Sequence, residues 1–303
     1  MTEAEEAAGL WGGVILRPLR LRENEVYEVA LTGRRAALRL HRRGYQSADA
    51  IRSELWWCAE LARAGLPVPA AVPLPAGGLL AVLAGGRMAS VVDWVEGAPL
   101  GDAGVPLGGT VADQAAQHYA LGRLLAGVHR ATDGLTLPDW FIRPRWDRDG
   151  LIGDAPFWGR FWEHPALTSA QAGLLNEARD WLAAQLARHN GVMGLIHADV
   201  LRENILVNDG SLSLIDFDDS GFGYRIYDLG TVLSQNLYEP GYAEIRAALC
   251  EGYGLTDTGQ VDAFTLARTL ASVGWAAPRL PPDHPVHASH IARALMFARR
   301  CLA

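Results

Sequence analysis

A histidine, two aspartates and an asparagine stand at spacings that suit phosphoryl transfer. Residues 195–207 read L-I-H-A-D-V-L-R-E-N-I-L-V, and residues 212–219 read L-S-L-I-D-F-D-D. Three short apolar runs alternate with polar residues that a plain core would not need. His197, Asp199 and Asn204 follow the first run, and Asp216 ends the third. Asn208-Asp209-Gly210, between the second and third runs, is a hairpin turn signal. Small strands that end at one edge would present a carboxylate, an amide and a second carboxylate. Phosphoryl transfer uses such a set: an aspartate takes a hydroxyl proton while an asparagine and another aspartate hold Mg²⁺ on the phosphates. Singly, each residue has an ordinary reading, since a loop aspartate is usually solvated and an asparagine after a strand is usually a turn former. A metal hydrolase built on His197, Asp199 and Asp216 is the alternative; it requires tight zinc or manganese binding without nucleotide.

The spacing H-x-D-x-x-x-x-N at 197–204, with a strand ending in D-F at 216–217, resembles the catalytic core of the aminoglycoside phosphotransferase family. That family includes type II homoserine kinases, choline kinases and bacterial stress-response kinases, and shares the protein-kinase fold. The resemblance implies an α+β, bilobal architecture. Residues 1–96 would form a small nucleotide-binding lobe with an antiparallel sheet and one main helix. Residues 97–303 would form a larger, mostly helical catalytic and substrate-binding lobe. It implies Asp199 as catalytic base, Asn204 and Asp216 as metal ligands, His197 as a support for the loop, and ATP with Mg²⁺ as cofactors. The acceptor would be a hydroxyl of a small molecule. A serine/threonine protein kinase of the stress-response type and a nucleotide-binding regulator without catalysis are the competing readings.

The elements that must position these residues are legible in outline. Strands are expected at 14–16, 26–31 and 36–40, followed by a helix over 48–64 with Ile51, Leu55 and Cys58 on one stripe. No G-x-G-x-x-G is present. The loop over 23–26 resembles the E-N-x-V-Y element of homoserine-kinase-like members, which places Asn24 among the nucleotide-binding candidates; an ordinary hairpin is the bland reading. Arg39 stands where the family has a phosphate-binding lysine or arginine, and Glu54 falls in the apolar stripe of the helix. A carboxylate facing a core needs a cationic partner, so an Arg39–Glu54 pair is expected. Asp93 and Val95, in D-W-V-E-G, resemble the hinge whose backbone meets the adenine edge; a strand running into a glycine turn explains them equally well.

In the second lobe a helix is expected from Val111, with Leu121, Leu124, Leu125 and Val128 at helical spacing. His129 on it reads as a packed, hydrogen-bonded residue. The aromatic residues of 140–162 read as packing, with a substrate-pocket wall as the competing view. Asp228 is expected to accept hydrogen bonds from the catalytic-loop backbone and to open a helix. His284, His287 and His290 read as a solvated helix start rather than a zinc site.

Composition excludes several classes. All 27 basic residues are arginine, so a Walker A loop, Schiff-base chemistry and a Ser-Lys hydrolase are ruled out. A net charge of −7 gives no basic footprint for nucleic acid. No apolar run approaches membrane-spanning length, and the acidic, Ala-rich start is not a signal peptide. Cys58, Cys250 and Cys301 read as small buried hydrophobes in a reducing, cytoplasmic setting. Beyond residue 240, five acids stand against six arginines. That balance disfavours a polycationic aminoglycoside and favours a neutral or zwitterionic hydroxyl compound.

Overall fold

The computed structural model describes residues 1–21, 24–189 and 191–303, which form two compact units. The first comprises residues 1–98, 134–143 and 206–218; the second comprises 99–133, 144–205 and 219–303.

The first unit opens with a helix, α1 (Glu3–Leu10), that the sequence reading left out. Thr2 accepts from the Glu5 N–H while the Glu5 side chain accepts from the Thr2 N–H, a reciprocal cap on two otherwise orphaned donors. Ala4, Ala7 and Ala8 then bury one face against the sheet. Strands β1 (Val14–Leu21), β2 (Glu25–Leu31) and β3 (Arg34–Leu40) form an antiparallel meander. After α2 (Ala48–Arg63), strands β4 (Ala81–Val82) and β5 (Met88–Asp93) complete a sheet of order β1-β2-β3-β5-β4. The two-residue strand β6 (Ala98–Pro99) follows. In α2 the Ser47 hydroxyl caps the first turn, and Ile51, Glu54, Leu55, Cys58 and Leu61 are buried. The period of 3.6 thus carries one carboxylate inward with the apolar stripe.

The second unit is mostly helical. It begins with α3 (Val111–Asp133), then β7 (Arg145–Trp146), the one-turn α4 (Arg148–Ile152), α5 (Ser169–Arg188) and β8 (Met193–Ile196). The hairpin that follows, β9 (Ile205–Asn208) and β10 (Ser211–Leu214), belongs to the first unit from residue 206 onward, and its turn residues Asp209 and Gly210 both have positive φ. Strand β11 (Gly221–Tyr224) pairs with β7 and β8. Helices α6 (Ile226–Asn236), α7 (Tyr242–Tyr253), α8 (Val261–Ala276) and α9 (Pro285–Leu302) complete the unit. Its core joins Trp146, Trp158 and Phe161, together with Tyr227, to apolar residues of α5, α8 and α9, so these three aromatics of 140–162 pack inward, whereas Trp140 is exposed. At Gly230 an added Cβ would lie 2.4 Å from the Phe264 carbonyl carbon. Only glycine lets α6 approach α8 this closely, and α6 carries Asp228.

The three C-terminal histidines are not a solvated start. His284 caps α9 by accepting from the Val286 N–H. His287 is buried against His164 at 2.9 Å, and His290 donates to the Ser272 carbonyl at 2.9 Å. The His164 and Ser272 partners of His287 and His290 lie in other elements, which local spacing cannot reveal. Among the described residues no group of three His, Cys, Asp or Glu could hold a metal, and no helix is long and apolar enough to cross a membrane.

Candidate active site

In the second unit, the loop after β8 is held from beneath. Ala198 has φ 65°, a left-handed conformation that a residue with a Cβ adopts only under constraint. The constraint is Asp228, fully buried near the start of α6, which accepts the N–H of His197 at 2.9 Å and of Ala198 at 2.7 Å. His129 Nε2 donates to the same carboxylate at 3.0 Å, and its Nδ1 accepts from the Tyr253 hydroxyl at 2.8 Å. His197, also fully buried, accepts the Asp199 N–H at Nδ1. Arg202 anchors the far side of the loop through Asn236, Glu239 and the Val105 carbonyl.

This frame presents Asp199. Its Oδ2 accepts from Asn204 Nδ2 at 3.0 Å, and Asn204 Nδ2 also donates to the Asp199 carbonyl at 2.9 Å. Its Oδ1 accepts from Arg268 Nη2 at 2.7 Å, and that guanidinium lies over the Trp158 ring at 4.7 Å. With both Nδ2 donations directed at Asp199, Asn204 Oδ1 is left buried with no hydrogen-bond partner among the described residues. A buried amide oxygen in that state costs free energy unless something meets it. A hard divalent cation, which takes oxygen ligands, fits it.

The first unit holds a second constellation. Arg39, on β3, spans two carboxylates: Nη1 donates to Glu54 at 2.7 Å and Nη2 to Asp216 at 3.1 Å. Arg20 approaches the other Asp216 oxygen at 3.8 Å. Burial alone would lower the Arg39 pKa, but Glu54, Asp216 and Asp218 outweigh it and raise it. Burial pushes the Glu54 carboxyl up from its ordinary value, offset only in part by Arg39. Asp216, like Ala198, has φ 65°. The backbone after it is clamped by Arg143, which donates to the carbonyls of Ala50, Phe217 and Asp218. Phe217 packs edge-on against Trp57 with centroids 5.3 Å apart.

The profile of the APH phosphotransferase enzyme family matches residues 15–264. The chain belongs to that family. Amicoumacin kinase of Bacillus subtilis (strain 168) is 27% identical over 224 residues, 72% of this chain and 62% of that protein. The chain therefore matches less than two thirds of that relative's length. Among solved structures, a microcompartment-associated aminopropanol kinase superposes with TM-score 0.85 at 28% identity, over 99% of this chain and 96% of that one. The amicoumacin kinase hAmiN, solved with AMP-PNP, Ca²⁺ and Ami, superposes with TM-score 0.71 at 21% identity, over 95% and 87%. The α+β, kinase-like fold inferred from the motifs is the fold of these phosphotransferases.

The sequence-derived candidates fall in both units. Arg39, Glu54 and Asp216 form one cluster, and Asp199 and Asn204 another. Asn24 serves as a brace: Nδ2 donates to Asp218 at 2.8 Å, and Oδ1 accepts the Arg42 N–H at 2.8 Å. The preceding loop residues, 22 and 23, lie outside the described residues. Asp93 pairs with Arg34 at 2.8 Å, and its N–H donates to the Ala70 carbonyl. On β5 it faces Ala36, whereas Ser90 faces Arg39, so Asp93 lies about 10 Å along the strand from that register. Val95 follows the end of β5, partly buried. Arg143 and Arg268 were not foreseen. Each is a buried arginine whose charged or loop partners (Asp199 for Arg268; the Ala50, Phe217 and Asp218 carbonyls for Arg143) are distant in sequence.

Proposed function

We propose that the chain is an ATP-dependent kinase that moves the γ-phosphate to a hydroxyl group of a small molecule. The observation that carries the reading is the pairing of Asp199 with Asn204, whose own Oδ1 stays buried and unmet. Asp199 is the base: with Asn204 Nδ2 fixing one carboxylate oxygen, the group is oriented to accept the acceptor's hydroxyl proton. Asn204 Oδ1 and the Asp216 carboxylate are the metal ligands. A divalent cation such as Mg²⁺, bound with the nucleotide, would neutralise charge developing on the phosphates. Arg39, oriented by Glu54, grips phosphate oxygens with a planar fork that matches them bidentately. Nucleotide binding draws further on the Asn24 brace and on the backbone at Asp93 and Val95. Family membership supports phosphoryl transfer, and relatives named for aminopropanol and amicoumacin support a small-molecule acceptor.

The deciding experiment compares wild type with Asp199→Ala. ATP turnover with a working acceptor should fall about 10²–10⁴-fold, the usual worth of a general base, while binding of a non-hydrolysable ATP analogue persists. Undiminished turnover in the variant would refute the assigned base. Analogue binding without turnover in wild type, across a broad acceptor screen, would favour the regulator reading instead.

A further inference from the structure

We propose that the acceptor carries an anionic oxygen group, a carboxylate or phosphate, held by Arg293 together with Arg268 beside the base Asp199. The inference rests on the kinase reading above and specifies its substrate class.

The geometry lies wholly within the second unit. Helices α8 and α9 pack together, and His290 Nδ1 on the Ser272 carbonyl ties them at 2.9 Å. They are successive helices joined by residues 277–284 and run antiparallel. Arg268, one turn before Ser272, and Arg293, three residues after His290, therefore come to the same level of the pair. Arg268 is committed: one Nη holds Asp199 and the other Ser272 Oγ. Arg293 is not. Its Nε is buried without a hydrogen-bond partner, and among the described residues its side chain forms no ion pair. Arg268 Nε is likewise buried and unmet.

A buried guanidinium without a counter-charge is expensive, and a second one nearby makes it more so. The strain is visible in Arg293 itself, whose pKa is depressed to about 10 by burial first and by Arg268 second. Glu203 and Tyr238 act on it in the opposite sense, but from beyond ion-pairing distance. Glu203 is already occupied as the acceptor of Gln235 Nε2 at 2.9 Å. Of the two guanidiniums, only Arg268 is bound to a carboxylate, that of Asp199. Arg293 has no ion-pair partner among the described residues, so the complement it lacks is an anion and not a cation. A ligand carboxylate or phosphate supplies the missing charge and meets both unpartnered Nε–H groups. It would also compete with Asp199 for Arg268 and so leave the base freer to take a proton.

The test uses the full chain with Mg²⁺ and a non-hydrolysable ATP analogue, in a thermal-shift and turnover panel of matched probes. Glycerate and glycerol 3-phosphate are the anionic members, and L-homoserine is a zwitterion that bears the carboxylate. Glycerol, serinol and 1-amino-2-propanol are the neutral and cationic ones. At least one anionic probe should raise Tm at millimolar concentration where its uncharged counterpart does not. The glycerate and phosphate arms separate the two oxyanions. Arg293→Gln should raise KM for that probe roughly 10–100-fold, as expected for losing charge-assisted hydrogen bonds, with a smaller change in kcat. Arg293→Lys should recover part of the loss. Arg293→Met, which removes the unpaired charge, should raise the Tm of the ligand-free protein. Three results would each overturn the proposal: neutral or cationic probes outperforming the anions, Arg293→Gln leaving KM unchanged, or Arg293→Met lowering Tm by several degrees. Turnover of an amino alcohol with Arg293 indifferent would sink this inference alone and leave the kinase reading standing. Absence of nucleotide binding would sink that reading instead.

Discussion

Asp228 accepts the Ala198 N–H at 2.7 Å, and that bond helps to hold the left-handed alanine of the loop after β8 in place. The carboxylate is fully buried and also takes the His197 N–H and His129 Nε2, so both of its oxygens are engaged. Asp228→Asn would turn one acceptor oxygen into a donor that faces another donor. The expected cost is about 2–4 kcal/mol of stability, the range for unsatisfied buried groups and broken charged hydrogen bonds. Urea denaturation measures it. Because Ala198 adjoins Asp199, kcat should fall more than KM rises; an unchanged midpoint and unchanged kcat would show that the loop holds itself.

Arg39 and Glu54 form a buried pair whose two members are unequal. Glu54 Oε2 is buried without a partner, so Arg39 is its one ion-pair partner among the described residues, with Arg143 adding a weaker attraction from farther away. Arg39→Met should therefore destabilise the chain by about 3–5 kcal/mol, because it strands a buried carboxylate. Adding Glu54→Leu should recover most of that loss, since well-packed apolar replacements for buried pairs are often neutral. A double-mutant cycle by chemical denaturation reads this directly. Arg39→Lys separates fold from function. One ammonium cannot reach along both arms of the fork, so ATP KM should rise while stability falls less than in the methionine variant.

The histidine ties of α9 give an acid-side dependence. Burial, with Arg293 adding to it, holds His290 down at about 3 against an ordinary value of 6.5. Its folded pKa lies below its unfolded one, so between those values the unfolded chain binds the extra proton. Stability from this group is present above about 6.5 and declines as pH falls toward about 3, with a slope of about 1.4 kcal/mol per pH unit at most. Buried His41 and His118 are depressed in the same direction and share the effect. His290→Gln should flatten the dependence of the denaturation midpoint between pH 6.5 and 4 relative to wild type. Parallel curves would mean that His290 does not contribute.

What could be read in advance follows from how far each partner lies along the chain. Glu54 was legible because the period of α2 drove it inward, and Arg39 because a buried carboxylate demands a cation. The D-x-x-x-x-N spacing that marked Asp199 and Asn204 is local, and their hydrogen bonds are local too. Arg268 was hidden for the opposite reason. Every residue of α8 except Asp262 and Trp275 is buried, so the helix has no polar face against which an inward arginine would stand out. Its partner Asp199 lies 69 residues earlier. The first helix was missed although its cap was visible: Thr2 followed by Glu5 is the signature, but it precedes alanines rather than the large apolar residues that usually confirm it.

Asn204 offers the sharpest test of the metal assignment, because its two ends do different work. Nδ2 donates to Asp199, while Oδ1 is buried with no hydrogen-bond partner among the described residues. Asn204→Asp keeps the oxygen but places a second carboxylate against Asp199, raising the proton affinity of the pair. Asn204→Leu removes both ends. If Oδ1 meets a cation, the Leu variant should need roughly 10–100-fold more Mg²⁺ for half-maximal turnover, the size of loss seen even for supporting groups at metal sites. The Asp variant should need no more Mg²⁺ than wild type yet show an alkaline-shifted pH–rate profile. A Mg²⁺ titration of ATP turnover at several pH values distinguishes the two effects. Equal Mg²⁺ requirements in wild type and the Leu variant would remove Asn204 from the metal ligands and leave it as a positioning residue for Asp199.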